Sequence, residues 1–426
     1  MKDTLRRGIV WLLTLEAQAV LKKYKPKIIV VTGSVGKTST KDALYTALSK
    51  TYSVRKSEKS FNSDIGAPLT VLGVPNGWSD ITRWARNLFD GLLLILLNAP
   101  YPQWLIVEVG ADRPGDISRS LAWLKPNVVV ATRFPMISVH VEFYDSPEAV
   151  QKEELAPLGW LLPHGTAVVN AADEVAVSYP LSEGRRMITY GAGGEVHAVH
   201  QKVAIEEGTP TGIRFDVVHK NERASITLLG VIGDAHIESV LGGIAGALAL
   251  GMPLHTAAEA FSTHVPPPGR MRLIRGVHRS TLIDDTYNAS PVAVMSALKT
   301  LGEQKSGRRI AVLGDMLELG AYSAQEHANS GEAASAHADI LVTVGVRARR
   351  AAERALEVGM LPDSVLQFDT ATDAAEHLVG ILGEGDTVLL KGSQGMRMER
   401  AVKLLMERPE EAKNLLCRQD AEWLTR

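Results

Sequence analysis

Apolar residues in this chain gather in short continuous runs rather than in strict alternation. Ile28–Val31, Trp104–Val107, Val128–Ala131 and Thr166–Val169 each read as a strand buried on both faces, and the stretches between them carry helical spacing. The pattern predicts an α/β fold, a central parallel sheet covered by helices. Residues 1–25 read as one helix, apolar around Ile9–Leu15 and Val20-Leu21, basic at Lys22, Lys23 and Lys25, and stopped by Pro26. From Lys202 to Leu229 the pattern alternates more and contains Gly208-Thr209-Pro210-Thr211-Gly212, which suggests an antiparallel insertion. Pro266-Pro267-Pro268-Gly269 is the clearest linker. Beyond it, strand candidates at Ser280–Ile283, Arg309–Leu313, Ile340–Val344 and Thr387–Leu390 alternate with helical stretches and predict a second, smaller α/β domain. The expected division is an N-terminal helix over 1–26, a central domain over 27–265 and a C-terminal domain over 266–426.

Bulk properties narrow the picture. A chain of 426 residues is too long for one core. A net charge of −2 shows no basic excess, which argues against a nucleic-acid partner. The single cysteine, Cys417, excludes an intramolecular disulfide and fits a reducing compartment. No secretory signal is visible, since the apolar run Gly8–Leu15 is short and leads into Glu16; the expected location is the cytoplasm. The most apolar run, Gly91–Leu97, is too short to span a bilayer. It is read as a buried helix, with an interfacial helix as the alternative because Trp84, Arg86 and Phe89 precede it.

Candidate chemistry begins where the first strand ends. Gly33-Ser34-Val35-Gly36-Lys37-Thr38-Ser39 follows Ile28–Val31 directly, a strand running into a Gly-rich phosphate loop. The glycines allow the tight turn, Lys37 supplies a positive charge for the β- and γ-phosphates of a nucleoside triphosphate, and Thr38 supplies a hydroxyl for Mg²⁺. Glu108 ends the strand Leu105-Ile106-Val107, where open α/β sheets place ligand-binding groups; holding Mg²⁺ and lying on the surface are its two readings. His140 and Glu142 follow the strand that starts near Val128, and Lys152 and Glu154 lie on a helix-like run capped by Ser146 with Pro147 behind it. A histidine among carboxylates is either structural or a metal ligand. Asp284-Asp285-Thr286-Tyr287-Asn288-Ala289-Ser290-Pro291 is a second polar loop at a strand end, suited to ribose hydroxyls or simply to a turn. Arg270, just past the linker, places a guanidinium suited to phosphate at the domain junction.

Taken together these segments resemble the Mur ligases, and within them the branch that adds D-alanyl-D-alanine to a UDP-N-acetylmuramoyl tripeptide. The resemblance rests on Thr32–Ser39, Asn62-Ser63-Asp64-Ile65-Gly66-Ala67-Pro68-Leu69-Thr70, Glu108–Ala111 with Pro114-Gly115-Asp116-Ile117, Asp284–Pro291, Gly314–Gly320 and Lys391-Gly392-Ser393 with Met396–Glu399. It implies a P-loop ATPase central domain, a Rossmann-like C-terminal domain and ADP-forming amide ligation through an acyl phosphate. It also implies small-molecule substrates (a UDP-muramoyl peptide or related acceptor and a D-alanyl-D-alanine-like dipeptide), ATP and Mg²⁺ as cofactors, and a monomer acting in cell-wall synthesis. By the same resemblance Lys37 stabilises the transferring phosphoryl group, Thr38 and Glu108 meet Mg²⁺, and His140 ligates a second Mg²⁺. Arg270 approaches the phosphates, while Asp285, with Tyr287 and Asn288, holds the nucleotide.

The chain departs from the family in three places. About 26 residues precede the first strand, room for one helix rather than for the N-terminal UDP-binding domain, so another peptide or polymer acceptor is the alternative substrate, and a non-catalytic ATP-binding scaffold the alternative class. Where the family has a carbamylated lysine, the alignment sets Glu154 rather than Lys152; the two project about 200° apart on a helix, so only one faces the site. His236 stands where the family has an asparagine against adenine, and imidazole offers a different hydrogen-bond pattern.

Overall fold

The computed structural model describes residues 3–58, 65–206 and 208–424. The strands are β1 (Lys27–Thr32), β2 (Val54–Lys56), β3 (Trp104–Glu108), β4 (Val128–Ala131), β5 (Thr166–Asn170), β6 (Arg186–Tyr190), β7 (Val196–Glu206), β8 (Thr209–His219) and β9 (Glu222–Leu229). A second set comprises β10 (Arg272–Arg275), β11 (Thr281–Asp285), β12 (Arg309–Gly314), β13 (Ile340–Val344), β14 (Val365–Phe368) and β15 (Thr387–Lys391). The helices are α1 (Asp3–Tyr24), α2 (Lys37–Ser49), α3 (Gly66–Leu72), α4 (Ile81–Leu96), α5 (Asp116–Leu121), α6 (Pro147–Gly159), α7 (Glu174–Val177) and α8 (Asp234–Ala249), followed by α9 (Leu254–Glu259), α10 (Pro291–Gly302), α11 (Ser323–His337), α12 (Arg349–Glu357), α13 (Ala371–Ile381) and α14 (Glu399–Leu405).

Among the described residues the strands form two sheets, ordered β2-β3-β1-β4-β5-β6-β7-β8-β9 and β10-β11-β15-β12-β13-β14. The first is parallel from β2 to β7 and antiparallel across β7, β8 and β9. The alternating stretch is antiparallel, as its pattern suggested, and extends the main sheet through β6. In the second sheet only β10 runs antiparallel.

Successive residues of β1 point to opposite faces, and both faces are covered. Ile29 and Val31 pack into a cluster with Leu44 and Leu48 of α2 and Ile244 of α8. Ile28 and Val30 pack into another with Leu13 and Ala17 of α1, Leu69 of α3 and Leu158 of α6. The first cluster continues through Met271 and Ile283 to Leu298 of α10, so apolar packing joins the two sheets across the proline linker. The far side of the second sheet buries Val312, Val342 and Leu390 under α13 and α14.

The apolar runs named from the sequence coincide with β1, β3, β4, β5, β11, β12, β13 and β15. Strands β2, β6, β10 and β14 were not expected. Each is partly exposed along most of its length, and β2, β10 and β14 lie at or next to a sheet edge, so none offers the continuous buried run that marks a central strand. The run Gly91–Leu97 needs a larger correction. It ends an amphipathic surface helix, α4, in which only Trp84, Asn87 and Gly91 are buried; Leu92, Leu96 and Leu97 face outward.

Candidate functional site

The chain leaves β1 through Gly33, whose φ of +126° and 2.1 Å clearance between a built Cβ and Thr132 Oγ1 admit only glycine. Gly36, at φ +87°, turns it into α2. The loop is fastened from β4 and α6: Ser34 N donates to Arg133 O (2.8 Å), and Ser34 Oγ donates to a Glu154 carboxylate oxygen. Thr32 Oγ1 donates to Glu154 O. Lys37 Nζ donates back to Gly33 O across the loop. Burial pushes the Glu154 carboxyl up from its usual range, and Lys37, the Ser34 hydroxyl and His140 oppose the shift.

Glu108 sits at the end of β3, in register with Val31 of β1. Thr38 Oγ1 donates to Glu108 Oε1 (3.0 Å), and Lys41 Nζ lies 3.1 Å from Oε2, with all three residues buried. That second contact is a charge contact without hydrogen-bond alignment, and Oε2 accepts no hydrogen bond. A hydroxyl beside a buried carboxylate oxygen with a free lone pair is an all-oxygen donor set that fits a hard cation such as Mg²⁺. Among the described residues no group of three or more His, Cys, Asp or Glu side chains is assembled as a metal cluster.

Lys152 and Glu154 separate as their helical spacing requires. Glu154 is buried beneath the phosphate loop and Lys152 is exposed to solvent, so Lys152 does not join the site. His140 reaches the cleft from the loop after β4, at φ +72°. Its Nδ1 lies 2.6 Å from Glu318 Oε2 and its Nε2 lies 3.4 Å from Asp112 Oδ1. Glu318 belongs to the second sheet's half, and its backbone carbonyl also accepts from Glu142 N (3.3 Å), which brings Glu142 to the same junction.

The second half supplies the opposite wall. At the end of β11, Asp284 turns into the core, fully buried with its carboxyl pushed up to about 6 by burial. Asp285 turns to the cleft, where its Oδ2 accepts from Lys391 Nζ (2.6 Å) and its Oδ1 from Met271 N (3.2 Å). Lys391 also donates to Asn288 O (2.9 Å). The Arg270 guanidinium lies over the Tyr287 ring at 4.2 Å, with its Nε buried and unpartnered. His236, at the start of α8, is buried; burial lowers its pKa, so it is neutral. Because a carbonyl only accepts, Nε2 carries the proton and donates to Arg270 O (2.7 Å), leaving Nδ1 as an acceptor.

Ser34, Val35, Gly36, Ser39, His236, Arg270, Asp285 and Asn288 thus line one cleft of about 1100 Å³, its solvent mouth included. His140 and Asn288 line a neighbouring one with Glu318, Ser393 and Trp423. Of the segment Asn62–Thr70, Asn62–Asp64 lie outside the described residues, and the rest forms α3. Sequence reasoning missed Lys41 and Asp112, and named Lys391 within a family segment without giving it a role. Lys41 stands one helical turn after Lys37, and Lys391 ends a buried strand. A lysine in either place is a detectable oddity, because an unpaired charge is rarely buried.

Comparison with known proteins agrees with this geometry. Residues 90–247 match the Mur ligase middle domain, and residues 269–394 match the Mur ligase, glutamate ligase domain. The UDP-N-acetylmuramoyl-tripeptide–D-alanyl-D-alanine ligase of Bacillus subtilis is 28% identical over 396 residues, covering 92% of this chain and 79% of its own length. The Escherichia coli ligase of the same name is 26% identical over 409 residues, with 91% and 78% covered. A crystal structure of MurF from Acinetobacter baumannii superposes with a TM-score of 0.75 at 25% identity, covering 93% of this chain and 80% of that one. Both halves of the molecule, on either side of the proline linker, therefore have the same relatives, and the chain belongs to the Mur ligase family.

Proposed function

We propose that this chain is an ATP-dependent, ADP-forming amide ligase that joins a D-alanyl-D-alanine-like dipeptide to a muramoyl-peptide carboxylate. The observation that carries the reading is the convergence of a phosphate loop from the first sheet with Arg270, Asp285 and Lys391 from the second on one cleft. The likeness to two curated ligases of that activity, over more than three quarters of their length, points the same way.

The residues divide the work. Backbone N–H groups of Val35–Thr38 cradle the phosphates at the start of α2, and Lys37 swings from Gly33 O to the β/γ-phosphates. Asp285, Tyr287, Asn288 and His236 hold the nucleoside, and Arg270, with its free Nε, neutralises phosphate charge from the far wall. A substrate carboxylate oxygen attacks the γ-phosphorus, the bond to the ADP oxygen breaks, and an acyl phosphate forms. The dipeptide amine then attacks the acyl carbon, the carbon–oxygen bond to phosphate breaks, and the amine loses a proton. Thr38 and Glu108 would hold Mg²⁺, whose charge lowers the repulsion among the phosphates when it is bound. Glu154 supplies the anion beneath the loop that a carbamylated lysine supplies elsewhere in the family, and His140 orients the acceptor side. The working unit is a cytoplasmic monomer with an N-terminal helix over 1–26, a nucleotide-binding half over 27–265 and a C-terminal half over 266–426.

ADP release measured against a panel of UDP-linked and free muramoyl peptides, with D-alanyl-D-alanine and other dipeptides, tests the reading. Release that requires both a carboxylate and an amine, with the amide product seen by mass spectrometry, is expected. ADP release indifferent to both, or none with any pair, overturns it.

A further inference from the structure

Outside the cleft, the outer face of α1 and α4 carries a run of exposed apolar residues. On α4, Ile81, Ala85, Phe89, Leu92 and Leu96 project within about 80° of one another, and all are exposed; Phe89 is 59% and Leu96 68% accessible. On α1, Trp11, Leu12 and Leu15 share an arc of about 100° and are also exposed, Trp11 by 62%. The two helices lie side by side and run the same way. Glu16 sits over Gly91, and about two turns later Lys23 Nζ donates to the carbonyls of Leu94, Ile95 and Leu97. The stripe lies about 90° from this contact line on α1 and about 120° from it on α4, in opposite rotational senses. Both stripes therefore face the same side and merge into one apolar surface.

The charge around this surface is the reverse of the molecule's. Residues 1–25 and 80–98 carry eight Lys and Arg against four Asp and Glu, a net +4, while the rest of the chain carries −6. Arg7, Lys22, Lys25 and Arg86 are exposed beside the apolar residues, and Arg86, 82% accessible, lies 3.9 Å from Asp90. A helix pair with Trp, Phe and Leu outward, basic flanks and, among the described residues, no helix long and apolar enough to cross a bilayer has the composition of an interfacial anchor.

We propose that the α1–α4 face is a docking surface for an anionic bilayer, which the protein enters with Trp11, Leu15, Phe89, Leu92 and Leu96 at the headgroup boundary while Lys22 and Arg86 meet lipid phosphates. The reading does not depend on which substrate the cleft takes. The polar cleft is built from other elements, so the enzyme works on soluble substrates while held at the membrane surface.

Vesicle co-sedimentation of the full chain tests the proposal. The protein pellets with phosphatidylglycerol-containing vesicles, stays in solution with pure phosphatidylcholine, and is released by high salt. Phe89→Ser, Leu92→Ser and Leu96→Ser together lower the bound fraction about tenfold or more without changing ADP release in solution, because these side chains touch no part of the cleft. Lys22→Gln and Arg86→Gln, at exposed positions where folding is not at stake, each weaken binding about fivefold. Failure of the wild type to pellet with anionic vesicles overturns the proposal, as does equal pelleting of wild type and these two variants. A wild-type dimer in solution that the triple variant converts to monomer also overturns it, and assigns the face to a second copy of the chain.

Discussion

Glu154 has no exposed surface to relax into, and its hydrogen bond from Ser34 and its proximity to Lys37 tie it to the phosphate loop. Lys152, two residues earlier, points to solvent. Lys152→Ala therefore retains ligase activity, and added bicarbonate leaves the rate unchanged; activity lost in Lys152→Ala and restored by short carboxylic acids would reverse the assignment. Burial raises the Glu154 carboxyl, so the folded state binds its proton more tightly than the unfolded chain. The associated stability is present at low pH and is lost as pH rises through the raised value, while the anion the reaction needs appears over the same interval. Glu154→Gln accordingly melts higher than wild type at alkaline pH yet loses turnover. Lys37 is only partly buried, so Lys37→Ala folds normally; loss of its charge from the transferring phosphoryl group lowers kcat by about 10²–10³-fold or more. Steady-state ADP release beside a thermal melt separates the two effects.

At the scale of elements, α1 is fastened to the sheet by Ile9, Leu13, Ala17 and Val20, spaced three to four residues apart, and to α4 through a tight contact at Gly91. Any side chain at 91 would collide with the Glu16 carboxylate, since a built Cβ comes within 2.2 Å of Oε2. That oxygen is enclosed and unpartnered, and burial moves the Glu16 carboxyl up to about 7 from its usual 4.5. Between those two values the folded chain keeps a proton that the unfolded chain releases, so stability falls as pH rises from about 4.5 through about 7. Glu16→Gln removes this slope and raises the melting temperature at pH 8 relative to wild type, with little change at pH 4. Melts of both proteins across that range check the expectation; parallel curves would place the Glu16 carboxylate in water.

At the scale of the whole molecule, the two halves meet through apolar packing of α8 against α10 and through a polar latch of His140 with Glu318. Gly320, at φ +51°, lets the chain pass against the backbone of Glu142 there. An acyl phosphate exposed to water hydrolyses, so on the proposed reaction a latch at His140 and Glu318 would protect the intermediate. Glu318→Ala is expected to lower amide formation and raise ADP release in the absence of the amine, a loss of coupling that the ratio of ADP to product measures. Small-angle scattering with and without an ATP analogue then reads the same latch as a change in radius of gyration, larger in wild type than in the variant. Unchanged coupling in Glu318→Ala would make the His140 contact incidental.

Features governed by local rules can be read from the order of the residues. Central strands buried on both faces announce themselves as unbroken apolar runs, and a phosphate loop needs its glycines and lysine within seven consecutive residues. For these reasons β1, β3, β4, β5 and the loop after β1 were legible, and so was the offset that lets only one of Lys152 and Glu154 turn inward, because a helix turns by a constant angle per residue. The half-exposed strands β2, β6, β10 and β14 were not, because their hydrogen-bonding partners, rather than their own side chains, make them strands. Tertiary structure alone decided the rest. The pairing of Lys41 with Glu108, of Lys391 with Asp285 and of His140 with Glu318 joins residues 67, 106 and 178 positions apart, across contacts that only the closed sheets create. It also decided that Gly91–Leu97 ends a surface helix. An apolar run specifies that a segment prefers to leave water, and the packing of its neighbours determines whether the protein interior or another surface receives it.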